Sequence, residues 1–352
     1  MTDLATAPVV AAPPGDAGRG SLARAELRRF RSRRFIQVLL VLAAVGYALA
    51  IGFAAATAFA KTTPGQLAAA ERNIAAIVEE QNRFREICLN DANRPPGTED
   101  LSVEQFCGPP YTAENFPAEQ FLDKQPFVLA AALPAGGLAV AAATAALAFV
   151  LGATYVGAEW SSRSMVALLF WEPRRLKVMR VKLGVLIGAC VLLGVLTQAL
   201  WWGTAIVMAR TLGRTGQLPD GFYGDLLAQQ GRSVLLAVLT GLLGFAISNL
   251  VRNTGAALGV GFVYFAVVET AVRNIRGSWQ EWLLTDNAVA LILEGGNRLY
   301  LYDEGFVDER GTFVNSGREL LLTNLHGAVV LGGVTLVLVA LGVVLFQRRD
   351  LH

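Results

Sequence analysis

The chain has 352 residues, of which 54% are hydrophobic and only 16% are charged, and its mean hydropathy is +0.46. A soluble domain of this length needs more polar surface, so the composition indicates a membrane protein. The formal net charge of +2 excludes a protein that binds nucleic acid through its overall charge. With three cysteines and two histidines, no metal site is expected.

Several stretches of about 20 residues carry almost no charge, which matches the length a helix needs to cross the hydrocarbon core. In lipid, backbone polar groups must find partners within the segment, so these stretches are predicted to be helical. Their approximate ranges are 35–60, 127–157, 183–209, 233–251, 255–272 and 327–346. The alternating pattern of a β-barrel is absent. The sequence therefore predicts an all-α polytopic membrane protein with six transmembrane helices.

The first 34 residues divide into two parts. Residues 1–20 are rich in Ala, Pro and Gly and are predicted to be a disordered cytoplasmic tail. Residues 21–34 carry six arginines against one acid, Glu26, which predicts that the N-terminus stays in the cytoplasm. This segment is either a basic helix at the membrane interface or a plain basic flank. The apolar face of such a helix would be Leu22, Leu27 and Phe30.

Residues 61–126 form a polar, net acidic insert that is predicted to lie outside the cytoplasm. It contains Cys88 and Cys107, in a compartment where disulfides persist. We predict a disulfide between them, which would close a loop of about 19 residues and stabilise it by roughly 3 kcal/mol. The alternative is a pair of free thiols.

Two further polar segments set the topology. Residues 158–182 are basic, which is typical of a cytoplasmic segment, whereas residues 273–324 are net acidic and are predicted to lie outside. The apolar piece 288–293 is too short to span and is expected to enter the interface or to re-enter. The basic flanks at 24–34, 158–182 and 348–349 all fall on one side, so both termini are predicted to be cytoplasmic. Arg-rich usage with abundant Ala, Gly, Val and Leu suggests the plasma membrane of a high-GC bacterium.

Polar side chains are rare within the predicted spans. Gln198 lies in the third span and Glu269 near the outer end of the fifth. Such groups are costly in lipid and often line a transport pathway, so both are candidates for that role. Glu269 is also close enough to the interface to reach water or to pair with Arg273. Small residues at four-residue spacing favour packing within the chain, with a dimer contact as the alternative. These pairs are Gly184 with Gly188 and Gly255 with Gly259.

No catalytic signature is present in the sequence. It has no G-x-x-x-x-G-K-[ST] phosphate loop and no H-E-x-x-H motif. His326 and His352 are predicted to lie on opposite sides of the membrane, so they cannot share a site. We therefore predict no catalytic residue, no cofactor bound by this chain and no enzymatic activity of its own.

A short motif follows the second span. It reads Gly157-Ala158-Glu159-Trp160-Ser161-Ser162-Arg163-Ser164-Met165, then Pro173-Arg174-Arg175 and Val181-Lys182. A Gly-x-Glu exit, a short amphipathic element, a Pro-x-Arg turn and a basic entry to the third span resemble the permeases of ABC-2 type transporters. The six-span layout and the closing residues 346–350 also fit, so the resemblance covers nearly the whole chain. Arg163-Ser164 replaces the Gly-Thr common in the family, and the insert at 61–126 is longer than in its simplest members.

The resemblance implies a transport subunit without its own ATPase. ATP and Mg would be bound by a separate cytoplasmic ATPase subunit, and two permease chains would pair in the membrane lipid as a homodimer or a heterodimer. A coupling helix at about 159–170 would sit in a cleft of the ATPase. Its candidate contacts are Glu159, Trp160, Arg163, Met165, Leu168 and Phe170. Glu159 and Arg163 are four residues apart and could pair on one helix face. The alternative for this helix is a position against the inner bilayer interface.

The function implied by the resemblance is ATP-driven, outward transport of a hydrophobic or amphipathic substrate such as a drug, an antibiotic or a lipid. The alternative belongs to a different class: a membrane sensor or assembly subunit that transports nothing. The acidic insert at 61–126 is the feature that favours this alternative, because it would bind a partner outside the cytoplasm.

Overall fold

The structure, a computed structural model, describes residues 19–90, 102–302, 306–307, 313–314 and 317–348. The tail predicted at 1–20 therefore lies almost wholly outside the described residues, as does His352. The chain forms two compact units. The first comprises the described parts of Met1–Ala44, Pro134–Trp201 and Gly221–His352, and the second comprises Val45–Leu133 and Trp202–Asp220.

Helices make up most of the described chain. They are α1 (Arg19–Ser32), α2 (Arg34–Thr57), α3 (Pro64–Asn90), α4 (Val103–Cys107), α5 (Leu129–Ser161), α6 (Ser164–Trp171), α7 (Arg175–Leu212), α8 (Phe222–Val251), α9 (Thr254–Val263), α10 (Glu269–Ile275), α11 (Leu284–Ile292) and α12 (Asn324–Arg348). A π-helical turn, Tyr264–Val268, joins α9 to α10. In the described part of the chain, six helical stretches are long and apolar enough to cross a membrane: α2, α5, α7, α8, Thr254–Ile275 and α12. The predicted all-α polytopic fold with six spans is confirmed.

The observed helices extend beyond several predicted spans. α7 begins at Arg175 rather than near 183, and α8 begins at Phe222 rather than near 233. A hydrophobic stretch measures only the part of a helix that lies in hydrocarbon, because helical turns outside the lipid can carry polar side chains. The hydrophobic pattern therefore located the spans correctly but underestimated the length of the helices that contain them.

The predicted insert at 61–126 falls within the second unit, and its described residues are 61–90 and 102–126. Asn82 of α3 exchanges two hydrogen bonds of 2.9 Å with the backbone of Tyr111, and Arg85 Nε donates to the Gly108 carbonyl at 2.8 Å. These bonds hold the following segment against α3. They place Cys88 and Cys107 with their Cα atoms 5.9 Å apart and their sulfurs at bonding distance, a geometry compatible with the predicted disulfide.

Three two-stranded sheets complete the described fold. In the second unit, β1 (Phe127–Val128) pairs in parallel with β2 (Gly213–Arg214). In the first unit, β3 (Asn297–Tyr302) pairs antiparallel with β6 (Gly317–Leu322), and β4 (Phe306–Val307) pairs with β5 (Phe313–Val314). The predicted outer segment 273–324 therefore has its own structure.

The helix α11 corresponds to the apolar piece predicted at 288–293, and it packs against the start of α12. A Cβ added at Gly327 would lie 2.5 Å from the carbonyl oxygen of Asn287, so only glycine permits this approach. Asn324 Nδ2 donates to the carbonyls of Ala290 and Leu293 at 2.7 and 2.6 Å. These bonds satisfy carbonyl groups near the end of a short helix.

Close packing between α5 and α8 depends on glycines. A Cβ at Gly152 would lie 1.9 Å from the carbonyl oxygen of Gly241, and a Cβ at Gly244 would lie 2.2 Å from that of Phe149. Small residues allow two backbones to approach in this way inside a membrane, where packing rather than the hydrophobic effect joins helices.

The glycines that sequence spacing selected have different surroundings. A Cβ added at Gly184, Gly188 or Gly259 would meet nothing within 4 Å, and one at Gly255 would meet the side chain of its neighbour Asn253. The prediction that these pairs pack within the chain is therefore wrong. Spacing places glycines on one helix face, but it does not show whether a neighbouring helix of the same chain covers that face.

Contacts within the first unit gather the ends of successive spans. Trp160, at the end of α5, donates from Nε1 to Asn249 Oδ1 at the end of α8, at 3.1 Å. Arg175, at the start of α7, donates to the carbonyls of Phe346 and Gln347 at the end of α12, both at 3.1 Å. The C-terminal ends of α5, α8 and α12 and the N-terminal end of α7 thus lie at the same end of the first unit, as expected for spans that alternate in direction.

Candidate functional site

The helix α1 buries one face against the first unit. Phe30 is 7% exposed, but Leu27, which was predicted to lie on the same face, is 45% exposed. The second buried position is Glu26, which is four residues before Phe30 and only 1% exposed. The predicted apolar face is therefore wrong in part, because an acid occupies the position that Leu27 was expected to fill. A buried carboxylate needs a partner of opposite charge.

Lys182 is that partner. Its Nζ lies 2.7 Å from Glu26 Oε2 and 2.7 Å from Glu159 Oε2, and its side chain is completely buried. The hydroxyl of Tyr155 also donates to Glu26 Oε2, at 3.0 Å. An ammonium group removed from water is stable only with anionic partners, and the two carboxylates supply them.

Arg33 completes the arrangement from the junction of α1 and α2. Its Nη2 donates to Glu159 Oε1 at 2.5 Å, and its Nη1 donates to the carbonyls of Tyr155 and Thr154 at 2.6 and 3.1 Å. The guanidinium also lies 5.3 Å from the centre of the Tyr155 ring, a cation–π geometry. We call Glu26, Arg33, Tyr155, Glu159 and Lys182 the first ion cluster. It ties α1 to the end of α5 and to α7, and its two acids balance its two cations.

Glu159 is therefore not placed as the sequence predicted. It lies on the span helix α5, is 4% exposed, and pairs with Arg33 and Lys182. α5 ends at Ser161, and Arg163 adopts a left-handed backbone conformation with φ of 55°. The predicted Glu159–Arg163 pair is wrong, because the helix breaks between the two residues and they do not share a face.

Three other predicted contacts of the coupling helix face this chain. Trp160 packs edge-on against Phe346 at 5.9 Å, and the Arg252 guanidinium lies 4.8 Å from its ring centre. Met165 and Leu168 are buried, with 0% and 6% exposure. Met165 and Leu168 fix α6 to the first unit, and Trp160 fixes the end of α5, so these side chains are engaged within the chain.

The end of α6 is different. Phe170 and Trp171 are 84% and 89% exposed, the two highest values among large hydrophobic side chains in the described part of the chain. The next residue, Glu172, accepts a hydrogen bond from Lys177 Nζ at 2.5 Å, and this bond lowers the pKa of the Glu172 carboxyl below its ordinary value. Trp171 was not selected from the sequence. The signal for it was an unbroken apolar run, 165–171, that stops directly before Glu172.

A second group of charges lies near the start of α11. Thr285 donates to Glu269 from both its backbone N–H, at 3.1 Å, and its hydroxyl. Arg273 Nη2 lies 3.7 Å from Glu269 Oε2, which confirms the predicted pairing, and 3.0 Å from Asp286 Oδ1. Burial raises the pKa of the Asp286 carboxyl above its ordinary value, and Arg273 offsets part of that rise. We call Glu269, Arg273, Thr285 and Asp286 the second ion cluster.

Gln198, the other predicted pathway residue, is 3% exposed, and its Nε2 donates to the Gly137 carbonyl at 3.2 Å. This bond joins α7 to α5 inside the first unit. A role in a transport pathway for Gln198 and Glu269 stays a prediction.

Sequence reasoning noted Glu26 and Lys182 but assigned them no partners. Glu26 stood out only as the single acid among arginines, and Lys182 only as a basic residue at the entry to the third span. A usable signal was present at both positions. An acid four residues before Phe30, and a lysine inside an apolar helix, each mark a charge that is expected to be buried and paired.

The fold and this site define a polytopic helical membrane protein whose short helix α6 connects its second and third spans. Comparison with known families agrees with this class: residues 21–351 match the family described as ABC-2 family transporter protein, and the chain belongs to that family. No curated protein and no solved structure matches the chain. Membership supports a membrane-spanning permease in a transporter system that has an ATPase partner.

Proposed function

We propose that this chain is the permease of an ATP-driven transporter and that α6 docks the cytoplasmic ATPase subunit. The observation that carries the proposal is the division of α6 into two faces. Met165 and Leu168 fix the helix to the first unit, whereas Phe170 and Trp171 stand in the open at its end. Exposed aromatic side chains of this kind mark a binding surface, and aromatics are frequent anchors of interfaces.

The first ion cluster supports the transmission of movement from α6 to the spans. α6 directly follows α5, and Lys182 joins Glu159 of α5 to Glu26 of α1 through two contacts of 2.7 Å. Because these charges are buried, separating them is costly, so the C-terminal end of α5 and the N-terminal part of α7 would move together. In this proposal Glu159 acts as a positioning residue inside the permease and does not touch the ATPase.

The proposal also assigns the orientation of the chain in the membrane and its binding partners. α6 and both termini would lie in the cytoplasm of a bacterium with the protein in its plasma membrane, and ATP and Mg would be bound by the partner. Two permease chains would pair, as a homodimer or a heterodimer, and would move a hydrophobic or amphipathic substrate outward. Cys88 and Cys107 would then face an oxidising compartment, where their disulfide would form and persist.

The double substitution F170A/W171A tests the docking of the ATPase. We expect co-purification of the co-expressed ATPase subunit with the tagged permease to fall by roughly tenfold or more, because truncating an aromatic anchor costs about 2 kcal/mol or more. ATP hydrolysis by the purified complex should fall in parallel. The measurements are a quantitative pull-down and a hydrolysis assay on the same preparations.

A matched control removes the same two ring types elsewhere. Phe84 and Trp279 are 58% and 57% exposed and lie in segments that the proposal places outside the cytoplasm. The F84A/W279A variant should therefore bind the ATPase as the unchanged chain does. Equal losses of ATPase binding in both double variants, or full binding by F170A/W171A, would contradict docking at Phe170 and Trp171.

A further inference from the structure

A basic cleft of about 640 Å³ opens beside the junction of α1 and α2. It is bounded by the end of α1, the first residues of α2, the end of α5 and the helix α6, all of them in the first unit. Its polar lining consists of Arg29, Ser32, Arg33, Arg34, Glu159, Ser162 and Ser164. Three arginines against one acid give this lining an excess of positive charge.

The excess is carried by two of the arginines. Arg33 is committed to Glu159, so those two charges cancel. Arg29 Nη1 donates to Glu26 Oε1 at 3.1 Å, but Glu26 is shared with Lys182, which binds its other oxygen, and half of the Arg29 side chain is exposed (51%). Arg34 is exposed and has no ion-pair partner among the described residues. Exposed guanidinium groups whose charge is not fully balanced by a carboxylate are suited to a phosphate, which each can bind with two parallel hydrogen bonds.

The rest of the cleft is apolar and leads onto a membrane span. Phe35 lines the cleft and is 57% exposed on the first turn of α2. Val38 and Leu42 follow at helical spacing on the same face and are 56% and 62% exposed. Arg29 and Arg34 therefore lie near the end of an exposed apolar stripe, formed by Phe35, Val38 and Leu42, on a helix that is long and apolar enough to cross a membrane.

We propose that this cleft binds the phosphate of an anionic phospholipid, with Arg29 and Arg34 as its ligands. One acyl chain would lie along Phe35, Val38 and Leu42. The stripe decides between possible sources of the phosphate, because a small soluble phosphate would use the arginines and leave the apolar face of α2 unused. The same stripe argues against a soluble protein as the occupant, since it runs along a span into the hydrocarbon. Trp171 also lines the cleft, but it is not one of the proposed phosphate ligands, so the proposal does not depend on docking of the ATPase at Phe170 and Trp171.

Native mass spectrometry of the purified full chain in a neutral detergent tests the proposal. The protein is titrated with phosphatidylglycerol, with phosphatidylcholine and with glycerol phosphate. We expect a single phosphatidylglycerol adduct in preference to phosphatidylcholine, and R29Q/R34Q should lower that affinity by roughly tenfold or more, because it removes charge-assisted hydrogen bonds.

The matched control is R28Q/R31Q. Arg28 and Arg31 are exposed on α1 outside the cleft, so this variant removes the same charge and should leave the lipid affinity little changed. An equal loss in both variants would overturn the proposal in favour of diffuse attraction to a basic helix, and an unchanged affinity in R29Q/R34Q would overturn it outright. Glycerol phosphate binding as tightly as the lipid would assign the cleft to a soluble phosphate compound. If the double variant aggregates, R34Q alone carries the same test.

Discussion

The two ion clusters of the first unit contain similar groups in different balance. The first joins two carboxylates to Lys182 and Arg33, and its lysine is completely buried. The second places two carboxylates, Glu269 and Asp286, around the single cation Arg273, whose side chain is 39% exposed. The first cluster is therefore balanced in charge among its named residues and keeps its lysine away from water, although Arg33 and Glu159 also line the cleft beside α1. The second cluster is net negative, and its single cation is partly exposed.

This difference predicts how each cluster responds to change. A buried ion pair contributes little net stability compared with apolar groups, but removing one partner leaves an uncompensated charge, which is strongly destabilising. A cation that reaches water is screened, so its loss costs less. The first cluster should thus behave as a lock between α1, α5 and α7, and the second as a local arrangement that responds to protonation.

The largest effect is expected from K182M. This substitution leaves the carboxylates of Glu26 and Glu159 buried without the ammonium group between them, so the free energy of unfolding should fall by about 3–5 kcal/mol. The measurement is unfolding of the detergent-solubilised protein by heat or by a denaturing detergent. Unchanged stability would show that water reaches the cluster and that it does not act as a lock.

A second substitution separates lost charge balance from lost packing. In E26Q/K182M, the remaining acid Glu159 still has Arg33, so most of the lost stability should return. The matched control is K177M, which removes a lysine from a partly exposed pair with Glu172 and should have only a small effect. If E26Q/K182M is as unstable as K182M, the cost is one of packing.

A smaller effect is expected from R273Q. Glu269 and Asp286 are 3% and 6% exposed and would lose their common cation, while Glu269 keeps its two bonds to Thr285. Since Arg273 is partly exposed, water screens its interaction with the two carboxylates. We therefore expect the free energy of unfolding to fall by only about 1–2 kcal/mol. The control is R276Q, which removes a neighbouring arginine that lies over the Trp279 ring. Equal effects of R273Q and R276Q would contradict the assignment.

The same contrast shows what the sequence could and could not predict. Glu269 and Arg273 are four residues apart on one helix, and their contact was one of the two alternatives that the sequence left open. Lys182 and Glu26 are 156 positions apart, and only the packing of α1 against α7 brings them together. Glu159 and Arg163 had the correct spacing, but the helix ends between them. The membrane-spanning stretches were predictable because the thickness of the hydrocarbon core fixes their length. Contacts between residues distant in sequence, and the points at which helices end, were not predictable.

The smallest effect is expected at Asp286 and appears as a dependence on pH. Burial raises the pKa of this carboxyl in the folded protein, so the folded state binds the proton more tightly than the unfolded state does. As the pH falls through the folded pKa toward the unfolded value of about 3.9, this residue should therefore contribute increasing stability. D286N cannot take up that proton. The difference in Tm, unchanged chain minus D286N, should rise as the pH is lowered from 7 to about 4, while the remaining carboxyl groups cancel in the difference. A difference that is flat or falls with decreasing pH would mean that Arg273 holds Asp286 charged as firmly as water does, and the contrast between the two clusters would then be one of position alone.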